Sequence, residues 1–316
     1  MSKLPATFCI ATYADIPTTI DTINSLLPTV EGYDIKIIVI DDANTIKHEL
    51  DQFPMVSVYR NEKRMGVGYS LDRAVRLAET EICFIMGNDI RFNGNEWYPR
   101  LYETTINNPK SIICTATLGL NENRLQITGK ESRYLGSHIL YEVTEANNNR
   151  VLPFRRYIES KWNTPDFIDF NGDVEQTGSV LGAFYAINRS FFLKVSSWGL
   201  HRVWGSLEPW VSMSYAINGG NCLIDMKAAT GHIFRSASSH KPIRDLIYNK
   251  LAVAYMYLPT DMEQEVFAWC KTLQHSELSF VFFEQNRKEL DKFRQLKLEL
   301  GDEKVRELLK PTGVLD

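Results

Sequence analysis

Two β-branched runs near the N-terminus each stop on a carboxylate: Ile35-Lys-Ile-Ile-Val-Ile40 ends at Asp41-Asp42, and Ile82-Cys-Phe-Ile-Met86 ends at Gly87-Asn-Asp89. Continuous apolar runs of this length read as strands covered on both faces. Phe8-Cys-Ile-Ala-Thr12 supplies an earlier strand and Val56-Ser-Val-Tyr59 another. Residues 16–30 have helical spacing with Pro17 near the start, and residues 68–78 place Leu71, Ala74, Val75 and Ala78 on one helical face. Strand, helix, strand in this order dictates parallel pairing through right-handed crossovers. Open α/β sheets bind ligands at the carboxyl ends of their strands, so Asp41, Asp42, Asn88 and Asp89 stand where a ligand would sit.

Further on, residues 95–108 and 189–195 read as helices, 111–118 as a strand and 211–217 as one more helix ending at Gly219-Gly220. Residues 121–173 have weak periodicity and are expected to carry substrate-facing loops. From residue 244 to 257, and again from 262 to 309, the composition is helical, which predicts an appendage packed on the main domain.

An ionised carboxylate only accepts hydrogen bonds, so Asp41 suits a base N–H or a ribose hydroxyl; it also suits a helix cap or turn. Thr12 ends the neighbouring strand and joins the candidates. Asp89 suits a hard divalent cation, which keeps open positions for the oxygens of a diphosphate leaving group. His232, in Gly231-His-Ile-Phe-Arg235, would add a nitrogen, and such a mixed set fits Mn2+ as well as Mg2+. A lone histidine before Ile-Phe fits a structural role equally. Glu208 lies between Trp204 and Trp210, where aromatic walls stack on a sugar ring and a carboxylate binds its hydroxyls. The alternative is a loop glutamate between core tryptophans. Arg235, His240, Lys241 and Arg244 form a basic cluster suited to phosphate oxygens or, equally, to a solvated loop.

These segments resemble glycosyltransferases of the GT-A fold, in the manner of family two. Phe8-Cys-Ile-Ala-Thr12, Ile38-Val-Ile-Asp-Asp42, Arg60-Asn-Glu-Lys-Arg-Met-Gly66 leading into Arg73-Ala74, and Phe84-Ile-Met-Gly-Asn-Asp89 resemble the nucleotide-binding half. Residues 178–186, Trp204-Gly205 with Glu208, and Gly231-His-Ile-Phe-Arg235 resemble the acceptor half of polypeptide N-acetylgalactosaminyltransferases and related galactosyltransferases. The likeness spans roughly residues 5–250 and rests on the order and spacing of the motifs.

The resemblance implies a Rossmann-like, mostly parallel central sheet flanked by helices over residues 1–243, divided into a nucleotide-binding half (1–118) and an acceptor half (119–243), with a helical C-terminal extension over 244–316. It implies a UDP-sugar donor, a divalent metal (Mn2+ or Mg2+) and transfer to an acceptor hydroxyl. Thr12, Asp41, Asp42, Arg64, Arg73, Asn88 and Arg235 would bind the donor nucleotide. Asp89 would be the second acidic residue of the metal-binding Asp-x-Asp motif, with His232 as a further ligand. Glu208 and Asp89 would be catalytic, and Trp204, Gly205, Gly182 and Trp210 would line the sugar or acceptor. Two departures stand out: Gly87 occupies the position of the first motif Asp, and Pro209-Trp210 stands where many inverting relatives have a second acidic residue. In an inverting enzyme Glu208 is then the local group to deprotonate the acceptor. In a retaining one the leaving phosphate takes that proton, and the likeness to N-acetylgalactosaminyltransferases leans this way.

A net charge of -4 supplies no global basic field for nucleic acid or an anionic membrane. No apolar run approaches the roughly 18 residues of a membrane span, and Met1-Ser-Lys3 leads into a strand-like segment without a signal-peptide pattern. A cytoplasmic location is expected, in a bacterial or viral setting. The five cysteines are far apart and odd in number, and read as buried thiols. The acceptor stays open among a glycan, a protein, a lipid-linked sugar and a modified nucleic-acid base, the last kept by Arg150, Arg155 and Arg156. Two other function classes stay open. One is a non-catalytic nucleotide- or sugar-binding protein, motivated by Gly87; the other is a nucleotidyltransferase, which shares the strand-end carboxylates.

Overall fold

The computed structural model describes residues 4–43, 45–144, 156–166, 170–181, 184–234 and 242–315. The expected alternation forms β1 (Ala6–Thr12), α1 (Ile16–Leu26), β2 (Ile35–Asp41), β3 (Val56–Arg60), α2 (Val67–Leu77) and β4 (Ile82–Met86). Asp15 caps α1 by accepting from the Thr18 N–H, Pro17 sits in its first turn, and Pro28 tightens its end into a 3-10 turn over Leu27–Val30. β5 (Ile90–Arg91), α3 (Trp97–Asn107), β6 (Ser111–Asn121), β7 (Ser132–Tyr134), β8 (Ser137–Val143), β9 (Arg156–Trp162), β10 (Val174–Gln176), β11 (Phe184–Asn188) and α4 (Arg189–Val195) follow. The chain ends with α5 (Leu207–Ile217), β12 (Asn221–Phe234), α6 (Ile243–Tyr257), α7 (Thr260–Lys271) and α8 (Ser276–Leu309).

The main sheet runs β10-β12-β6-β11-β4-β1-β2-β3, with β5 added on β12 and β7 on β6. β1 pairs in parallel with β2 and β4, as do β2 with β3 and β6 with β12, whereas β11 runs antiparallel to both its neighbours. Side chains alternate across the strands, and each face has its own core. Phe8, Ile10, Val39, Phe84 and Met86 meet α1 and α3 on one face; Cys9, Ile38, Ile85 and Cys114 meet α2, α5 and the C-terminal helices on the other. The helices after residue 242 thus share a core with the sheet. Lys250 of α6 fixes them further: its Nζ donates to the carbonyls of Tyr157 (2.6 Å) and Ile158 (3.1 Å) and pairs with Glu159 (2.9 Å). The five cysteines are buried and free.

Three elements differ from the sequence reading. β12 is a 14-residue strand. Its alternation is broken by a bulge between Asp225 and Ala229, where Asp225 turns inward to accept from Arg100 and Thr104. α5 begins four residues before Val211, at Leu207, because Ser206 adopts a left-handed conformation (φ 60°) that launches the helix. Within residues 121–173, β8 and β9 form a hairpin, separate from the main sheet. No helix among the described residues is long and apolar enough to cross a membrane.

Candidate active site

The short strand β5 makes the site. It pairs antiparallel with β12, matching His232 to Ile90 and Gly231 to Arg91, and the Ile233 N–H donates to the Asp89 carbonyl at 3.0 Å. This register brings the His232 Nε2 to 3.6 Å from the Asp89 Oδ1. The His232 ring packs edge-on against Phe234 with centroids 4.5 Å apart, and its buried Nδ1 finds no hydrogen-bond partner among the described residues. Gly87 leaves room for this arrangement: a Cβ there would stand 2.7 Å from the Asp89 Oδ1. Among the described residues, no group of three His, Cys, Asp or Glu side chains is arranged to hold a metal ion.

Asp89 and His232 could nevertheless share a cation. Neighbouring ligands of an octahedral ion at about 2.1 Å stand about 3 Å apart, so a small side-chain adjustment closes the 3.6 Å gap. The other positions would fall to ligand oxygens. Ligating histidines ordinarily hydrogen-bond through their second nitrogen, and His232 has no such partner among the described residues.

Glu208 lies in the first turn of α5 and is half-buried. Burial pushes its carboxyl above the usual range, while its own backbone N–H and the nearby His232 pull it down. Trp204 is 48% exposed on a turn where Val203 (φ 37°), Gly205 (φ 94°) and Ser206 (φ 60°) all have positive φ. A Cβ on Gly205 would stand 2.5 Å from the Leu246 Cδ1, so that side chain would have to shift. Trp210 is placed differently from the sequence expectation. It is fully buried and donates its indole N–H to the Ser197 hydroxyl at 2.6 Å, because the helical turn from Leu207 rotates it into the core.

On the side expected to take a nucleotide, the strand-end acids hold loops. Asp41, fully buried, accepts from the backbone N–H groups of Ala43 (3.1 Å) and Ile46 (2.7 Å). Asp42 accepts from the N–H groups of Met65 and Gly66, both at 2.8 Å, and from Asn61 Nδ2 at 2.7 Å. Arg73 donates to the Asn61 Oδ1 (2.6 Å) and the Arg60 carbonyl (2.7 Å). Asn88 bonds Thr12, Thr19 and the Asp15 carbonyl, each at 3.2 Å, tying β4 to the start of α1, and Thr12 is buried in that same cluster. Arg64 is exposed and lies 3.9 Å above the ring of Tyr13. Tyr13 is a residue the sequence reading passed over, although an aromatic directly after the end of β1 is a visible signal; it is 48% exposed. Gly182, Arg235, His240, Lys241, Arg150 and Arg155 lie outside the described residues. Arg156 is buried at 3% exposure, which removes it from any nucleic-acid surface.

The two sides meet at Gly66. With φ 105° it forms a bridge to Val203, and a Cβ on it would stand 2.3 Å from the Val203 backbone. The loop that Asp42 organises is thereby locked to the turn that bears Trp204.

No curated protein matches the chain. A solved structure of GalNAc-T7 with UDP, GalNAc and Mn2+ is similar in fold, with a TM-score of 0.66 at 17% identity, over 90% of this chain and 55% of that one. The chain thus spans about half the length of that protein. The architecture, a central sheet flanked by helices with acidic residues at its strand ends, is a GT-A fold. The sequence model of glycosyl transferase family 2 matches residues 7–172, just over half of the 316 residues; Asp41 and Asp89 fall inside the match, and Glu208 and His232 beyond it. On that match, the chain belongs to glycosyl transferase family 2.

Proposed function

We propose that this chain transfers a sugar from a nucleotide-sugar donor, a UDP-sugar in the first instance, to an acceptor hydroxyl with the help of a divalent metal. The observation that carries the reading is the Asp89–His232 pair, which the β5–β12 register assembles at the carboxyl ends of the sheet. Family membership supports glycosyl transfer, and the UDP, GalNAc and Mn2+ bound to GalNAc-T7 suggest the donor class and the ion.

In this reading Asp89 and His232 hold Mn2+ or Mg2+, which would neutralise the diphosphate leaving group. Tyr13 and Arg64 face the nucleotide as a stacked aromatic and cationic pair. Asp41, Asp42, Asn88, Thr12 and Arg73 shape the loops beneath it. Trp204 offers a face to the sugar or acceptor, with Gly205 giving the turn its form. Glu208 holds a substrate hydroxyl; burial raises its carboxyl pKa above the usual value. Residues 1–243 would be the transferase domain and 244–316 its helical extension, and the protein would work in the cytoplasm. The acceptor is a glycan, a protein, a lipid-linked sugar or a modified base. A retaining outcome is the reading that the resemblance to N-acetylgalactosaminyltransferases implies.

A panel of UDP-, GDP- and dTDP-sugars with Mn2+ or Mg2+ tests the proposal. Turnover of a UDP-sugar is the expected result, and the absence of binding and turnover with every donor would sink it. Gly87 and the two-ligand set favour one other reading, a nucleotide- or sugar-binding protein without transfer. Metal-dependent thermal stabilisation by UDP without turnover of any donor would favour that alternative.

A further inference from the structure

The turn that bears Trp204 is held from outside the sheet. Its backbone has positive φ at Val203, Gly205 and Ser206; the Val203 and Ser206 carbonyls accept from the N–H groups of Val67 and Trp210, both at 3.1 Å, and those of Arg202, Trp204 and Gly205 turn elsewhere. One fully buried amide on α6 meets them instead. The Asn249 Oδ1 accepts from the Arg202 N–H at 2.9 Å, and its Nδ2 faces the carbonyls of Arg202 (2.8 Å), Trp204 (3.2 Å) and Gly205 (3.1 Å). The His201 Nε2 reaches the same Gly205 carbonyl at 2.8 Å, with its ring seated against Gly68 at the start of α2. The Arg202 side chain completes the attachment, pairing with Asp245 at 2.7 Å and lying 3.8 Å over Phe282 of α8.

We propose that Asn249 is a positioning residue for sugar transfer: from the C-terminal helices it fixes the turn that aims Trp204 and sets the start of α5, and hence the place of Glu208. The inference rests on the transferase reading above. The chemistry singles out this side chain. A planar amide offers one acceptor and two donors in fixed relation, which is what a turn presenting one N–H and several carbonyls needs. Aspartate has no donor, alanine has neither group, and glutamine carries a methylene that a fully buried site has no room for. Apart from the Gly66–Val203 bridge it shares with the turn, the loop proposed to frame the nucleotide has its own anchors in Asp42 and Asn61. Loosening Asn249 therefore disturbs transfer while leaving the nucleotide in place.

The test uses the full chain with Asn249→Ala and Asn249→Ser, each compared with a partner that also carries Trp204→Phe, so that acrylamide quenching of Trp204 is read by difference. In both variants UDP affinity should stay within about twofold of wild type, the kcat for transfer should fall by about tenfold or more, and Trp204 quenching should rise. Unchanged quenching and kinetics in folded variants would overturn the proposal, as would a loss of UDP affinity in step with the loss of kcat. Should neither variant fold, Asp245→Asn releases Arg202 at the edge of the same turn and should show the same split at smaller size; no split there overturns the proposal. If wild type transfers sugar from no donor, the transferase reading fails, while the quenching comparison still decides whether Asn249 holds the turn.

Discussion

Asp42 and Asn249 do similar work on opposite sides of the site. Each is a buried polar side chain that gathers the backbone of a loop: Asp42 the N–H groups of Met65 and Gly66, Asn249 the N–H of Arg202 and the carbonyls around it. Their settings differ. Asp42 follows β2, next to the sheet edge, and reaches past β3 to the loop before α2, 19 to 24 positions along the chain. Asn249 reaches back from a helix to a turn 44 to 47 positions earlier, across the whole length of β12. The side proposed for the nucleotide thus rests on the shorter-range contacts, whereas the side proposed for the acceptor joins a strained turn to a more distant helix.

The strongest way to break this comparison is at the pair that joins the sides. Asp89→Ala should lower metal-stimulated transfer by about a thousandfold, roughly 4 kcal/mol of transition-state stabilisation, since one nitrogen ligand alone cannot hold the ion. Steady-state kinetics with and without Mn2+ check this; full activity would remove Asp89 from its role.

Next in size is the lock between the sides. Gly66→Ala must find room 2.3 Å from the Val203 backbone at φ 105°, and should cost about 3–4 kcal/mol of folding stability by denaturant unfolding. A loss within experimental error would mean that the Gly66–Val203 contact is not maintained.

The acceptor side should also be the acid-sensitive one. Burial depresses the His201 pKa to about 4, so as pH falls from the unfolded value near 6.5 the unfolded chain takes up the proton first. The stability that His201 contributes is intact above about pH 6.5 and is lost progressively towards pH 4, by about 2–3 kcal/mol. His201→Gln should flatten that limb of the stability curve relative to wild type; coincident slopes would contradict the assignment.

The smallest effect belongs to the nucleotide side alone. Tyr13→Ala should weaken UDP binding by about tenfold, roughly 1.4 kcal/mol, without changing stability or the quenching of Trp204. Equal affinity in calorimetry would take Tyr13 and Arg64 out of the nucleotide site.

The same contrast explains what could be read from the chain. β1, β2 and β4 announced themselves because strands buried on both faces need unbroken apolar runs, β3 showed the alternation of an edge strand, and the parallel order fixed the side on which Asp41 and Asp89 emerge. β12 hid because its bulge and Asp225 interrupt the alternation, and with it hid the pairing that turns His232 from an isolated histidine into a neighbour of Asp89. Trp204 and Trp210 looked alike in a motif of seven residues, yet the helix start at Leu207 sends one outward and the other into the core. Asn249 gave no signal, since a single amide in a helical pattern says nothing about a turn more than forty residues away.

The central claim is that β5 and β12 build one metal–diphosphate site from Asp89 and His232, and Mn2+ binding followed by electron paramagnetic resonance tests it most directly. Mn2+ affinity should be weak in the wild-type protein alone, rise when UDP is added, and fail to rise in Asp89→Ala and in His232→Ala. A UDP-dependent rise of the same size in both variants would contradict the account.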